Sequence, residues 1–197
     1  MHELSVLAAV QPVSEALESL SVPHYLTGSV ISSFYGVARA TVDADLVADL
    51  RVIHAEPFAA RLGAAYYAEA DIIREAIHAR TMFNVIHFET MVKVDVYPVA
   101  TLYDRTCMAR RLRDTLDPAG DGPLFAVASA EDVLLHKLLW YRMGGHVSER
   151  QWGDVLGVLR VRGRHLDRDH LARWAEQLGI TDLLERALDE AGLTGSA

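Results

Sequence analysis

Hydrophobic and polar residues alternate along two segments of the chain, which predicts two β-strands. In residues 42–50, Val42, Ala44 and Leu46 fall on one side of the alternation, because successive side chains of a strand point to opposite faces. Residues 91–99 alternate in the same way, with valines on one side. Shorter β-rich segments predict further strands at 24–26, 66–67 and 82–88.

Apolar residues recur at helical spacing over much of the remaining chain. Helices are expected at 30–37, 55–63, 71–79, 101–113, 133–143, 148–161, 168–178 and 181–191. For residues 110–116 the alternative is an edge strand. Residues 3–20 have helical spacing too, but Pro12 interrupts them, which predicts a turn followed by a helix. Strands are therefore concentrated early in the chain, and helices alone are expected late.

A loop rich in Pro and Gly at 117–123 separates the mixed strand and helix pattern from the all-helical pattern. We expect a mixed-sheet α/β (α+β) core in residues 1–125 and an all-helical C-terminal subdomain in residues 126–197. The acidic first turn after Ser129 favours a helix start in the second region.

Composition and charge narrow the classes of protein. The 197 residues are 51% hydrophobic and 23% charged, which is ordinary globular composition. The net charge of −8 disfavours nonspecific DNA binding, which depends on cations that neutralise phosphates. The single Cys107 excludes an intramolecular disulfide and a cysteine zinc cage, and with no signal-like or membrane-spanning segment we expect a cytoplasmic location.

Three acidic residues stand out as candidate metal ligands and catalytic groups. Asp43 and Asp45 are two positions apart on a predicted strand, so they share a face at roughly 6–7 Å spacing. Asp95 is an acid within an otherwise apolar strand, where it needs water, a metal or a partner. If the two strands are neighbours, the three carboxylates converge and suit Mg²⁺. We then expect a two-metal site, in which two bridged ions hold the attacking and leaving oxygens of a phosphoryl transfer. Without that convergence, Asp43 and Asp45 would lie on the solvent-exposed face of an edge strand, and Asp95 would be paired in a salt bridge.

A glycine–serine turn lies shortly before the paired acids. Gly28 and Ser29 follow one predicted strand and open a short predicted helix. Backbone N–H groups at a helix start bind phosphate well, and glycine permits close approach. Arg39 and Thr41 lie between this turn and Asp43, and both are candidate nucleotide-binding residues. From the residues alone, Arg39 is expected either to reach a triphosphate or to pair with Asp43 or Asp45.

The run Leu26-Thr-Gly-Ser29, Arg39-Ala-Thr-Val-Asp-Ala-Asp45 and Lys93-Val-Asp95-Val resembles the nucleotidyltransferase superfamily with the DNA polymerase β-type core. This resemblance covers about residues 20–100. It implies that Asp43, Asp45 and Asp95 are metal ligands and catalytic residues, and that Gly28 and Ser29 hold the β- and γ-phosphates of an NTP such as ATP.

The C-terminal third resembles the helical tail of bacterial nucleotidyltransferases related to abortive-infection and toxin–antitoxin systems. In that tail a Lys on the first helix and an Arg and an Asp on the next line the nucleotide cleft, and the matching positions are Lys137, Arg150 and Asp154. Two alternatives come from the residues themselves. Lys137 could instead extend its ammonium to the surface, and Arg150 and Asp154 are spaced as a surface helical pair.

The function expected from these residues is Mg²⁺-dependent transfer of an NMP group from an NTP to an acceptor hydroxyl, with release of pyrophosphate. The resemblance also points to a toxin–antitoxin or phage-defence system. RNA, protein and small molecules stay open as acceptors. The alternative is a catalytically inactive relative that acts as an interaction partner in a two-component complex with a cognate protein.

Overall fold

The computed structural model describes residues 2–117 and 120–193. The described residues leave out positions 118 and 119 of the predicted loop. They also leave out position 1 of the first predicted domain and positions 194–197 of the second. The helices in the described ranges are α1 (His2–Ser19), α2 (Gly28–Tyr35), α3 (Ala55–Leu62), α4 (Ala70–Ala79), α5 (Leu102–Arg110), α6 (Ala130–Met143), α7 (Glu149–Arg162), α8 (Arg168–Leu178) and α9 (Thr181–Glu190). The strands are β1 (His24–Thr27), β2 (Asp43–Ala48), β3 (Tyr66–Tyr67), β4 (Phe83–His87), β5 (Lys93–Pro98), β6 (Leu112–Thr115) and β7 (Leu124–Val127).

The chain forms two compact units. Of the described residues, one unit contains those in the ranges 2–30 and 40–128, and the other contains those in the ranges 31–39 and 129–193. The predicted boundary at 125/126 therefore falls inside β7, because this strand pairs with β1 and β6. Residues 31–39 also join the helical unit, which the sequence did not predict, because nothing local to that segment identifies its partners.

The first unit is built on a seven-stranded mixed sheet with the strand order β3-β4-β5-β2-β1-β7-β6. The two alternating segments form β2 and β5, and these strands are parallel neighbours. β2 also pairs antiparallel with β1, and β5 with β4, so both acid-bearing strands lie inside the sheet. Interior placement buries Leu46, Val94 and Val96 completely and fixes the register of the two strands.

Helix α1 packs against α3 and the strands β2 and β5 in this unit. It is one helix with Pro12 inside it, so the predicted turn at Pro12 is wrong. Packing explains the difference, because Val10, Val13 and Leu17 are buried around the proline and tertiary burial can outweigh the cost of a proline within a helix. The segment at 101–113 divides into α5 and the edge strand β6, so the expectation of one helix is wrong and the alternative of an edge strand at 110–116 is confirmed.

The second unit packs α6 against α7 and α8, and α9 against α7 and α8. Ser129 begins α6 by accepting a hydrogen bond from the backbone N–H of Asp132 at 3.2 Å, as its sequence indicates. The buried Asp132 carboxylate is 2.8 Å from Nε2 of His170 on α8. None of the helices in the described part of the chain is long and apolar enough to cross a membrane.

Candidate nucleotidyl-transfer site

The three candidate acids project from one face of the sheet in the first unit. In the β2–β5 register, Asp43 lies opposite Lys93 and Asp45 lies opposite Asp95. Paired residues of neighbouring strands point to the same side of a sheet. The condition set by the sequence, that the two strands be neighbours, is therefore met.

Asp45 and Asp95 belong to a row of polar residues that crosses four strands. Thr27 on β1 lies opposite Asp45 on β2, and Asn84 on β4 lies opposite Asp95 on β5. The hydrophobic pattern of each strand shows its own polar position, but only the pairing of the strands aligns the four.

Gly28 packs directly against the Asp45 carboxylate. A Cβ atom on Gly28 would lie 1.9 Å from Asp45 Oδ2, and the glycine has a φ of +68°. Only glycine fulfils both demands without strain. The start of α2 and the strand β2 are thus in direct contact at Gly28.

Asp95 carries one neutralised and one unsatisfied oxygen. Its Oδ2 atom is 3.0 Å from the ammonium of Lys93. Its Oδ1 atom is buried and has no hydrogen-bond partner among the described residues. A buried carboxylate oxygen without a donor is costly, so the position is suited to a cation or to a proton from a bound group.

Charge on this face alters the titration of its neighbours. The hydrogen bond to Asp95, supplemented by the charges of Asp43 and Asp45, raises the pKa of the Lys93 amine. Burial raises the pKa of the Tyr97 phenol, and Asp45 and Asp95 add to this effect. Tyr97 therefore keeps its proton at neutral pH. Its hydroxyl oxygen lies 3.5 Å from Asp45 Oδ1 and donates to it.

The donor set fits a hard divalent cation. No group of three or more His, Cys, Asp and Glu side chains in the described ranges is gathered closely enough to hold a metal by itself. Mg²⁺ does not require such a cage, because it commonly uses one or two protein carboxylates and takes its remaining ligands from water and phosphate. The carboxylates of one sheet face and the unsatisfied Asp95 oxygen meet that lesser requirement.

Ser29 and Thr41 are also placed in the first unit. Ser29 is the second residue of α2 and is partly exposed. Thr41 donates its hydroxyl hydrogen to the backbone carbonyl of Asp43 at 3.1 Å, so it supports the start of β2.

The remaining candidates lie in the helical unit, where three of them form one ion-paired cluster. Arg39 donates to Asp154 from Nε at 2.7 Å and from Nη2 at 2.8 Å. Lys137 donates to Asp154 Oδ2 at 2.7 Å. Asp154 was not among the partners expected for Arg39, which were a triphosphate, Asp43 or Asp45. The sequence did not predict the pair because Arg39 and Asp154 are 115 positions apart.

This cluster rules out the two alternatives named for Asp154 and Lys137. Asp154 pairs with Arg39 and Lys137 as a buried side chain, so it is not the acid of a surface pair with Arg150. The Lys137 side chain is only 4% exposed, so it does not extend to the surface. Arg150 is exposed in the first turn of α7.

Two opposing effects act on Asp154. Burial raises the pKa of its carboxyl, but the hydrogen bonds from Arg39 and Lys137 outweigh burial and hold the pKa below its ordinary value. In turn, the hydrogen bond to Asp154 raises the pKa of Arg39. Asp154 and Arg39 are therefore both charged at neutral pH.

No protein-family model matches the sequence, and the search of curated proteins finds no match. Solved structures do match. The antibiotic-resistance factor ANT(2'')-Ia is 11% identical with a TM-score of 0.53, and the match covers 97% of this chain and 96% of that one. An antigenic nucleotidyltransferase-like protein from Paracoccidioides brasiliensis is 16% identical with a TM-score of 0.53, with 96% and 94% of the two chains covered. At these identities the likeness concerns the fold alone, and this chain shares its fold with the antibiotic-resistance factor and with the nucleotidyltransferase-like protein.

Proposed function

We propose that this chain is a Mg²⁺-dependent nucleotidyltransferase that moves an NMP group from an NTP to an acceptor hydroxyl. The observation that carries the proposal is the register of Asp45 against Asp95, which puts three carboxylates on one face of the sheet. The nucleotidyltransferase fold supports the same reaction class.

Phosphoryl transfer of this kind depends on positioning and on neutralising charge. Asp43, Asp45 and Asp95 would hold Mg²⁺, which supplies positive charge to the triphosphate when bound. Backbone N–H groups at the start of α2, at Gly28 and Ser29, would donate to phosphate oxygens. Close contact between Gly28 and Asp45 would keep these two functions side by side.

In the reaction the acceptor oxygen forms a bond to the α-phosphorus of the NTP. The bond from the α-phosphorus to the oxygen of the β-phosphate breaks, and pyrophosphate leaves with that electron pair. Asp95 Oδ1 would take the proton of the acceptor hydroxyl, since this oxygen has no donor among the described residues. In the metal-free chain the other oxygen of the same carboxylate is 3.0 Å from the Lys93 ammonium.

In the helical unit, Arg39 and Lys137 would contact the nucleotide phosphates. Asp154 would hold both cations in place rather than touch the nucleotide, because each of its oxygens accepts from one or both of them. Arg150, which is exposed on the same helix as Asp154, completes the proposed nucleotide-binding set.

The test is transfer of label from an NTP carrying a labelled α-phosphate. The full chain is incubated with Mg²⁺, each NTP in turn and a cell extract, and label is then measured in RNA, protein and small-molecule fractions. We expect label in one fraction with the wild type and none with Asp95→Asn. Asp71→Asn is the control, because it makes the same charge change at an exposed residue of α4.

Equal label transfer by the wild type and Asp95→Asn would refute the proposed role of Asp95. No transfer by the wild type, together with no binding of Mg²⁺ and NTP at millimolar concentration, would favour a catalytically inactive interaction partner. The labelled fraction identifies the acceptor class. A small-molecule acceptor deserves its own fraction because one structural neighbour is an antibiotic-resistance factor.

We also place the reaction in the cytoplasm and in a toxin–antitoxin or phage-defence system, on the resemblance of the C-terminal helices. The corresponding test is expression of the chain in a bacterial host. Growth arrest by the wild type but not by Asp95→Asn is expected, and normal growth at equal expression of both would contradict this assignment.

A further inference from the structure

A lysine of the chain itself lies on the same face of the sheet as the three carboxylates. Lys93 lies opposite Asp43 in the β2–β5 register and two positions before Asp95, so it shares their face of the sheet. Three carboxylates and one ammonium leave these four side chains with a net formal charge of −2 at neutral pH. Lys93 is thus placed to neutralise part of the charge that a divalent cation would neutralise.

Lys93 and Asp95 differ in their freedom to move. The Lys93 side chain is 38% exposed, whereas the Asp95 side chain is 11% exposed. Lysine has a flexible four-carbon stem, so its ammonium can turn into solvent without disturbing the sheet. Asp95 is held by its position in an interior strand.

Ion pairs of this exposure contribute little net free energy. A divalent cation bound to Asp95 would repel an ammonium that stayed 3.0 Å from the same carboxylate. The two cations therefore compete for the Asp95 carboxylate, and the weaker and more mobile one leaves.

We propose that Lys93 is a displaceable counter-ion of Asp95, which occupies the carboxylate until a divalent cation takes its place. This inference rests on the metal site of the proposed function and adds a residue that tunes its affinity. Lys93 acts as a positioning residue, because it touches Asp95 rather than the substrate. In the absence of metal it keeps Oδ2 engaged and leaves Oδ1 open.

The test measures Mn²⁺ binding to the full chain without nucleotide, by the loss of the free Mn²⁺ signal in electron paramagnetic resonance. Lys93→Met removes the charge and keeps the length of the stem, and it should bind Mn²⁺ about fivefold more tightly than the wild type. Lys93→Arg keeps a cation and offers a fork that grips a carboxylate at two points, so it should bind no more tightly than the wild type. The gain from Lys93→Met should vanish in a chain that also carries Asp95→Asn.

Arg61→Met is the matched control, because it removes one positive charge from an exposed side chain whose Nη1 donates to the Pro57 carbonyl. An equal gain in this control would show a long-range charge effect and overturn the inference. Mn²⁺ binding by the wild type with no gain in Lys93→Met would overturn the role of Lys93 and leave the metal site standing. No Mn²⁺ binding by either chain would overturn both. Binding by Lys93→Met alone would support the inference.

Discussion

Gly28 and Asp45 are in contact so close that the glycine has no room for a side chain. A Cβ atom on Gly28 would be 1.9 Å from Asp45 Oδ2 and 2.8 Å from Asp45 Cβ. The turn that starts α2 therefore restricts the position of the Asp45 side chain on β2.

Gly28→Ala should destabilise the chain and reduce label transfer by more than about tenfold, because Asp45 must move. Gly179→Ala is the matched control. Gly179 has nearly the same φ, +67°, but nothing lies within 4 Å of an added Cβ. The control should cost about 1 kcal/mol from backbone strain alone and leave transfer intact. Thermal unfolding by circular dichroism and the transfer assay measure the two effects; equal losses in both variants would contradict the contact.

Asp154→Asn should lower the free energy of unfolding by about 3 kcal/mol, because it leaves the buried Lys137 ammonium without its counter-charge. Urea unfolding followed by tryptophan fluorescence is a suitable measurement, since Trp140, Trp152 and Trp174 all belong to the helical unit. Asp182→Asn is the control: this acid also pairs with an arginine, Arg142, but it is exposed. The idea fails if both variants unfold at the same urea concentration.

The same cluster should shape stability in acid. The pKa of Asp154 is lower in the folded chain than in the unfolded chain, so the unfolded chain takes up the proton first as pH falls. The stabilisation is therefore complete above about pH 4 and is lost at lower pH as the folded pKa is approached. Urea midpoints measured from pH 6 to pH 3 should fall more steeply for the wild type than for Asp154→Asn; parallel curves would exclude this contribution.

The two lysines of the sequence should differ in reactivity. Lys93 and Lys137 both pair with an aspartate, but their side chains are 38% and 4% exposed. An acetylating reagent should modify Lys93 faster than Lys137 by on the order of tenfold or more, because reaction at Lys137 requires local opening. Peptide mass spectrometry measures both sites in one sample, and urea-unfolded protein supplies the reference in which the rates converge. Equal rates in the native chain would show that Lys137 is not buried.

Much of the candidate site could be predicted from short-range pattern. Alternation on each strand identified the face that carries Asp43, Asp45 and Asp95, and the glycine–serine turn was located before the paired acids. Lys93 could have been found in the same way, because it is two positions from Asp95 and so shares its face. The partners of Asp154 could not, since helical spacing relates only residues three or four positions apart.

By itself, the sequence determined the alternation of β2 and β5 and the helical character of the last third, and it singled out the side chains proposed to bind metal and nucleotide. These follow from local periodicity, which requires only neighbouring positions along the chain. Tertiary structure alone decided that β2 and β5 are parallel neighbours and that Asp45 lies opposite Asp95. It also decided that Arg39 and Lys137 both pair with Asp154, and that α1 continues through Pro12. Such pairings depend on the burial of whole strands and helices against one another, and that free energy is not encoded in any one segment.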